Sequence, residues 1–109
     1  MSPVGGHPLY DAAMQYIAIA NVGPGAPMEM VELLTEPEAR RVWDLYTAGV
    51  VRSVWYRADS PGAVLLLEAG DAEQARAAIA SLPMVEAGLL QTELIPLAPY
   101  DGLQAIFRS

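Results

Sequence analysis

Ala63-Val64-Leu65-Leu66-Leu67-Glu68-Ala69 is the stretch on which the fold turns. Successive strand residues point to opposite faces, so Ala63, Leu65 and Leu67 share one face and Val64 and Leu66 the other. Both faces are apolar, which marks a central strand that needs cover on both sides. Immediately upstream, Val50 to Ala58 reads as a second strand. Asp59-Ser60-Pro61-Gly62 joins the two, and Pro61 and Gly62 suit the central positions of a type II turn. The pair is a hairpin. Immediately downstream, Asp71-Ala72-Glu73-Gln74 has the spacing of a capping box. Ala75, Ala78, Ile79 and Leu82 follow at i, i+3, i+4 and i+7, one apolar stripe of a helix that Pro83 ends.

The outer segments repeat the pattern. Met14 to Ala20 is a strand, and Asn21 to Pro27 a Gly- and Pro-rich loop. Met28 to Leu34 is ambiguous and reads as a short helix opened by Pro27. Thr35-Glu36-Pro37-Glu38 is a second capping box, with Leu34 and Ala39 placed for a hydrophobic staple. The helix after it carries Ala39, Val42, Trp43 and Tyr46 as its apolar stripe, and Gly49 stops it. Met84 to Gly88 is a connection. Leu89 to Leu97 is the last strand, with Pro96 near its end, as suits an edge or a bulge. Residues 1–13 form an extended arm ahead of a domain spanning 14–109.

The order is β-α-β-β-α-β. This is an α+β, ferredoxin-like βαββαβ arrangement: an antiparallel four-stranded sheet with two helices on one face. The face opposite the helices also needs cover. A second subunit supplies it in one reading, and the tail from Ala98 wraps over it in the other.

Composition removes several function classes. The chain has 109 residues, room for one domain. Its net charge is −7, and its six basic residues are all arginine, which argues against nucleic acid and against anionic membrane surfaces as partners. There is no cysteine and one histidine, His7, so a cysteine or multi-histidine metal site within one chain is excluded. No apolar run has the length to span a bilayer, and the N-terminus lacks a signal-peptide pattern. The expected location is cytoplasmic.

Val51-Arg52-Ser53-Val54-Trp55-Tyr56-Arg57, then Ser81-Leu82-Pro83, then Ile95-Pro96-Leu97 resemble, in order and spacing, the muconolactone isomerase-like family over roughly residues 14–103. Arg52 and Trp55 match an Arg and a Trp of that family's second strand. The resemblance implies a dimeric α/β barrel, in which two ferredoxin-like subunits join their sheets face to face. It also implies a small-molecule pocket at the sheet and proton transfer without metal or organic cofactor. The N-terminal arm, the first helix and Tyr56-Arg57 depart from the enzyme that names the family.

Strict alternation on the second strand puts Arg52, Val54 and Tyr56 on one face and Ser53, Trp55 and Arg57 on the other. Arg52 has two open roles. Its planar fork can hold a substrate carboxylate or lactone carbonyl, or it can pair with Glu68 or Glu93 on neighbouring strands. Glu68 and Glu93 are acids on otherwise apolar strands. Each is either a general base of raised pKa or a solvated strand-end carboxylate. Tyr56 either donates a hydrogen bond to a developing enolate oxygen or packs across strands. Trp55 and Tyr46 are candidate pocket walls, or plain core. His7 is the one side chain whose ordinary pKa lies near neutrality.

The expected function is a cofactor-independent isomerase moving a proton, and with it a double bond, in a small lactone or carboxylate. Glu68, Glu93 and Tyr56 are the catalytic candidates, and Arg52, Trp55 and Tyr46 the substrate-binding ones. The expected partners are a small molecule and the chain itself, as a homodimer or higher homo-oligomer. The alternatives are a cofactor-free monooxygenase or cyclase on the same scaffold, and a non-catalytic ligand-binding dimer.

Overall fold

The computed structural model describes residues 14–108, so the arm 1–13 and His7 lie outside the described residues. The elements are β1 (Met14–Val22), α1 (Met28–Thr47), β2 (Val51–Tyr56), β3 (Gly62–Ala69), α2 (Ala72–Ala80), α3 (Pro83–Glu86) and β4 (Leu90–Pro96). A 3₁₀ turn, Gly102–Phe107, lies in the tail. The four strands form one antiparallel sheet in the order β2-β3-β1-β4. This is the expected α+β, ferredoxin-like βαββαβ fold, with β3 and β1 central.

One face of the sheet carries the core. Tyr16 and Ala18 from β1, Val51 from β2 and Leu65 and Leu67 from β3 pack against Leu45 of α1, Ala75 and Ile79 of α2, and Leu82. The burial of these side chains away from water is the main force holding helices to sheet, at about 1.5–3 kcal/mol for each large one. The alternate residues Ile17, Ile19, Val64 and Leu66 stand on the opposite face, half-buried, where no described helix covers them.

Local sequence signals set several boundaries. Asp71 caps α2: its Oδ1 accepts from the Gln74 N–H at 2.8 Å, and Gln74 Oε1 accepts from the Gly70 N–H at 3.0 Å. Gly49 ends α1 at φ +83°. Its N–H donates to the Tyr46 carbonyl, and that of Val50 to the Leu45 carbonyl. The two bonds make a Schellman motif, in which a side chain beyond glycine would be strained. Gly88 closes α3 the same way at φ +75°, through Gly88 N–H to Val85 and Leu89 N–H to Met84.

Five expectations need correction. Met28–Thr47 is a single helix of 20 residues, so Thr35 and Glu38 do not start one. Thr35 is already helical, and its hydroxyl donates back to the Val31 carbonyl at 2.9 Å. Pro37 sits inside that helix, leaving the Leu33 carbonyl without its i+4 donor. The inward stripe of α1 is also rotated from the expected one: Leu45 is buried and Val31, Leu34 and Val42 are half-buried. Trp43 and Tyr46 face outward, 61% and 51% exposed, with their rings stacked 5.6 Å apart.

The remaining corrections concern turns and register. Gly62 has no positive φ and opens β3, so it is not the central glycine of a type II turn. Close strand approach requires it instead, because a Cβ there would lie 2.7 Å from the Ala20 carbonyl oxygen. Pro83 occupies the first turn of α3, while α2 has already ended at Ala80. Finally, a β-bulge falls between Val51 and Ser53. Val51 pairs with Leu67 and Ser53 with Leu66, so Arg52 is the extra residue and strict alternation fails across it.

Candidate functional site

The helix-covered face of the sheet is not filled to its end. Between the N-terminal half of α1 and the ends of β1, β2 and β3 lies a cleft of about 390 Å³. Val31, Thr35, Glu38, Ala39 and Val42 of α1 form one wall. Ala20 and Val22 of β1, Val54, Trp55 and Tyr56 of β2, and Gly62, Ala63 and Leu65 of β3 form the other. Leu82, Met84 and Leu90 close the base. The volume falls within the range of small-molecule pockets, roughly 300–1,000 Å³, which are typically apolar with a few placed polar groups.

Local structure explains the opening. Edge strand β2 runs past the cover of the helices: Val54 and Tyr56 pair with Leu65 and Ala63 on the core face, yet Tyr56 is 89% exposed. Gly62 contributes no side chain to the opposite rim. The bulge at Arg52 sets which β2 residues reach the cleft, because it fixes the facing of Val54 and Tyr56 relative to Val51.

Glu38 is the one ionisable carboxyl group in the lining. It is half-buried, and its Oε1 accepts from the Met84 N–H at 2.9 Å. Met84 is in the first turn of α3, whose preceding residue, Leu82, offers no side-chain cap. Glu38 thus caps a helix 46 positions along the chain rather than its own. Burial pushes its pKa above the ordinary carboxylate value, and the Met84 hydrogen bond opposes the rise in part. A carboxyl group with raised pKa at an apolar cleft is suited to take a proton and return it. Sequence reasoning assigned Glu38 to a local cap and so missed it. The available signal was its position, seven residues after Val31 and seven before Leu45 on the inward stripe.

The expected site residues divide. Tyr56 borders the cleft from the core face, Trp55 touches it from a position paired with Val64 on the opposite face, and the Tyr56 hydroxyl has no hydrogen-bond partner among the described residues. Glu68 stands on the opposite face of the sheet, where Gln15 Nε2 donates to its Oε2 at 3.2 Å. Glu93 is exposed on β4 and borders a smaller hollow of about 240 Å³ with Arg76, Ile79 and Val85. Arg52 is exposed at the bulge, its guanidinium beside Gly49, and among the described residues it pairs with neither Glu68 nor Glu93. Tyr46 lies on the outer surface of α1 with Trp43.

Arg57 has a structural task at the mouth of the hairpin. Its Nε and Nη2 donate to the two Asp59 carboxylate oxygens at 2.9 and 2.8 Å, and its Nη1 donates to Asn21 Oδ1 at 2.8 Å. The paired guanidinium holds the Asp59 carboxyl below its ordinary pKa. Among the described residues no group of three His, Asp or Glu side chains is placed to hold a metal ion, and no helix is long and apolar enough to cross a membrane.

No curated protein matches the chain. The family model described as muconolactone delta-isomerase matches it over residues 14–102.

Proposed function

The chain belongs to the muconolactone delta-isomerase family, and from that premise we propose that it is a cofactor-independent isomerase acting on a small oxygenated molecule in the helix–sheet cleft. The observation that carries the reading is Glu38, a half-buried carboxyl group of raised pKa in a mainly apolar lining. Glu38 removes a proton from the γ-carbon of an α,β-unsaturated carbonyl compound. The electrons pass into the carbonyl as a dienolate, and the same carboxylic acid returns the proton one vinylogous position away. The double bond moves, and no electron acceptor or net proton is needed. The Tyr56 hydroxyl, at the rim, donates to the developing oxyanion. Trp55 forms part of the rim. In this reading Glu68, Glu93, Arg52 and Tyr46, which stand away from the cleft, take no part in the chemistry.

Incubation with unsaturated lactones and enones in deuterium oxide tests the proposal. Deuterium should enter the carbon skeleton with wild-type protein and not with Glu38→Gln. Oxygen uptake without deuterium exchange would instead favour the cofactor-free monooxygenase reading on the same scaffold. Binding with neither would leave a ligand-binding domain.

The second face of the sheet supports assembly. Ile17, Ile19, Val64, Leu66 and Ile95 make it apolar, and the described tail does not bury its own Ile106 and Phe107. A homodimer closing sheet on sheet would bury this face. Sedimentation should give twice the chain mass, and Leu66→Glu should shift it to monomer. A wild-type monomer at micromolar concentration would refute the assembly.

A further inference from the structure

We propose that the Met84 backbone amide is a positioning group for proton transfer: it holds Glu38 Oε1 and leaves Oε2 to exchange the proton with substrate. The inference rests on the reading of Glu38 as the acid–base group and deepens it by naming what aims the carboxyl. The amides of α3 (Pro83–Glu86) are nearly all spent within the turn. Pro83 has no N–H to give. The Val85 and Glu86 amides both donate to the Leu82 carbonyl at 2.9 Å. That leaves Met84, whose N–H donates to Glu38 Oε1 at 2.9 Å, from a helix 46 positions along the chain. The donor is also fixed in place. Leu82 before it is buried in the core, Leu89 after it is buried as well, and the Leu89 N–H closes the turn on the Met84 carbonyl.

A glutamate side chain has many staggered rotamers, and few of them aim a carboxylate oxygen at one carbon atom of a bound substrate. A charge-assisted bond to a fixed amide selects among them. An amide suits the task because it is directional and carries no net charge. Burial raises the Glu38 pKa and the Met84 bond lowers it, so the amide favours the ionised base without the full positive charge of an arginine or lysine partner. The other charged groups on the two packed helices are engaged or exposed. Arg40 pairs with Glu36, Arg41 donates to Ser81, and Glu86 stands in solvent.

Nuclear magnetic resonance of the full wild-type chain tests the contact without any ligand. The Met84 amide proton should move downfield as Glu38 ionises, with the same midpoint as the Glu38 carboxyl carbon, and should stay flat in Glu38→Gln. A flat Met84 amide in wild type, while Glu38 titrates, overturns the proposal. Replacing the Met84 amide by an ester, with the methionine side chain kept, removes the donor alone. The Glu38 midpoint should then rise, whereas Met84→Leu, which keeps the amide, should leave it in place. In the ester protein, Glu38-dependent deuterium exchange into an unsaturated γ-lactone should fall roughly 10- to 100-fold, as expected for a misaimed catalytic group. Exchange at the wild-type rate in the ester protein overturns the positioning role and leaves Glu38 as the base. Absence of exchange in wild type overturns the isomerase reading, and the positioning role with it.

Discussion

Thr35-Glu36-Pro37-Glu38 and Asp71-Ala72-Glu73-Gln74 carry the same helix-start pattern and end in opposite situations. Asp71 sits extended after Gly70, and its carboxylate takes the Gln74 N–H. Thr35 sits eight residues inside a helix begun at Met28, and its hydroxyl turns back to Val31. The difference lies upstream. Gly70 interrupts the chain before Asp71, whereas Met28 to Leu34 offers strong helix formers and no break. A capping box therefore needs an interruption before it as well as the right residues within it. Released from a local cap, Glu38 reaches across to Met84 and into the cleft. The segment that misreads as a boundary is the one that supplies the candidate acid–base group.

Four changes break or sharpen the contrast. The largest effect is expected at Glu38. Glu38→Gln should lower turnover by roughly 10²–10⁴-fold, the usual contribution of a general acid–base group, while Glu73 or Gln74 changes near the other box leave turnover alone. Its pH signature has a definite sign. The folded pKa lies above the unfolded one, so the stability associated with protonated Glu38 is fully present below the unfolded value and is lost as pH rises through the folded value. Thermal melts of wild type and Glu38→Gln should therefore diverge with rising pH in favour of the variant. Parallel melting curves across that window would show that burial does not perturb the group.

Next in size is Pro37→Ala. It restores a donor to Leu33 in the middle of α1 and should stabilise by about 1–3 kcal/mol. Chemical denaturation reads this directly, and a loss of stability would mean that the proline shapes the helix around the cleft. Asp71→Ala should cost about 1 kcal/mol through the lost cap, with turnover unchanged. The smallest effect belongs to Thr35→Ala, within about 0.5 kcal/mol of wild type, because back-bonding to a helical carbonyl adds little. A loss near 1 kcal/mol there would return Thr35 to the role of a cap.

Much of the fold was legible in the sequence, as particular residues show. The doubly apolar Ala63–Leu67 run marked a central strand, Asp71 and Gly49 marked helix ends, and Pro96 fell in an edge strand. The site was legible only in part. Tyr56 and Trp55, singled out as aromatic residues on a strand, do border the cleft. Glu38 was hidden by a local pattern that fitted it equally well. Arg52 was misplaced because its facing depends on a bulge, and a bulge in β2 is defined by its pairing with β3. Trp43 and Tyr46 were read inward because they are large and apolar, yet Leu45 one position away meets the sheet.

The sequence by itself determined the order of elements, the two-faced apolar character of β3, and the caps that depend on neighbours within one turn. Those are consequences of short-range backbone geometry and side-chain periodicity, which travel with the local residues. Only the tertiary structure decided that Glu38 leaves its own helix's hydrogen bonding for Met84, that Arg52 falls on a bulge, and that the cleft opens on the helix-covered face. Each depends on a partner in another secondary-structure element, and a one-residue change in strand register or a small rotation of a helix reverses which side chains meet.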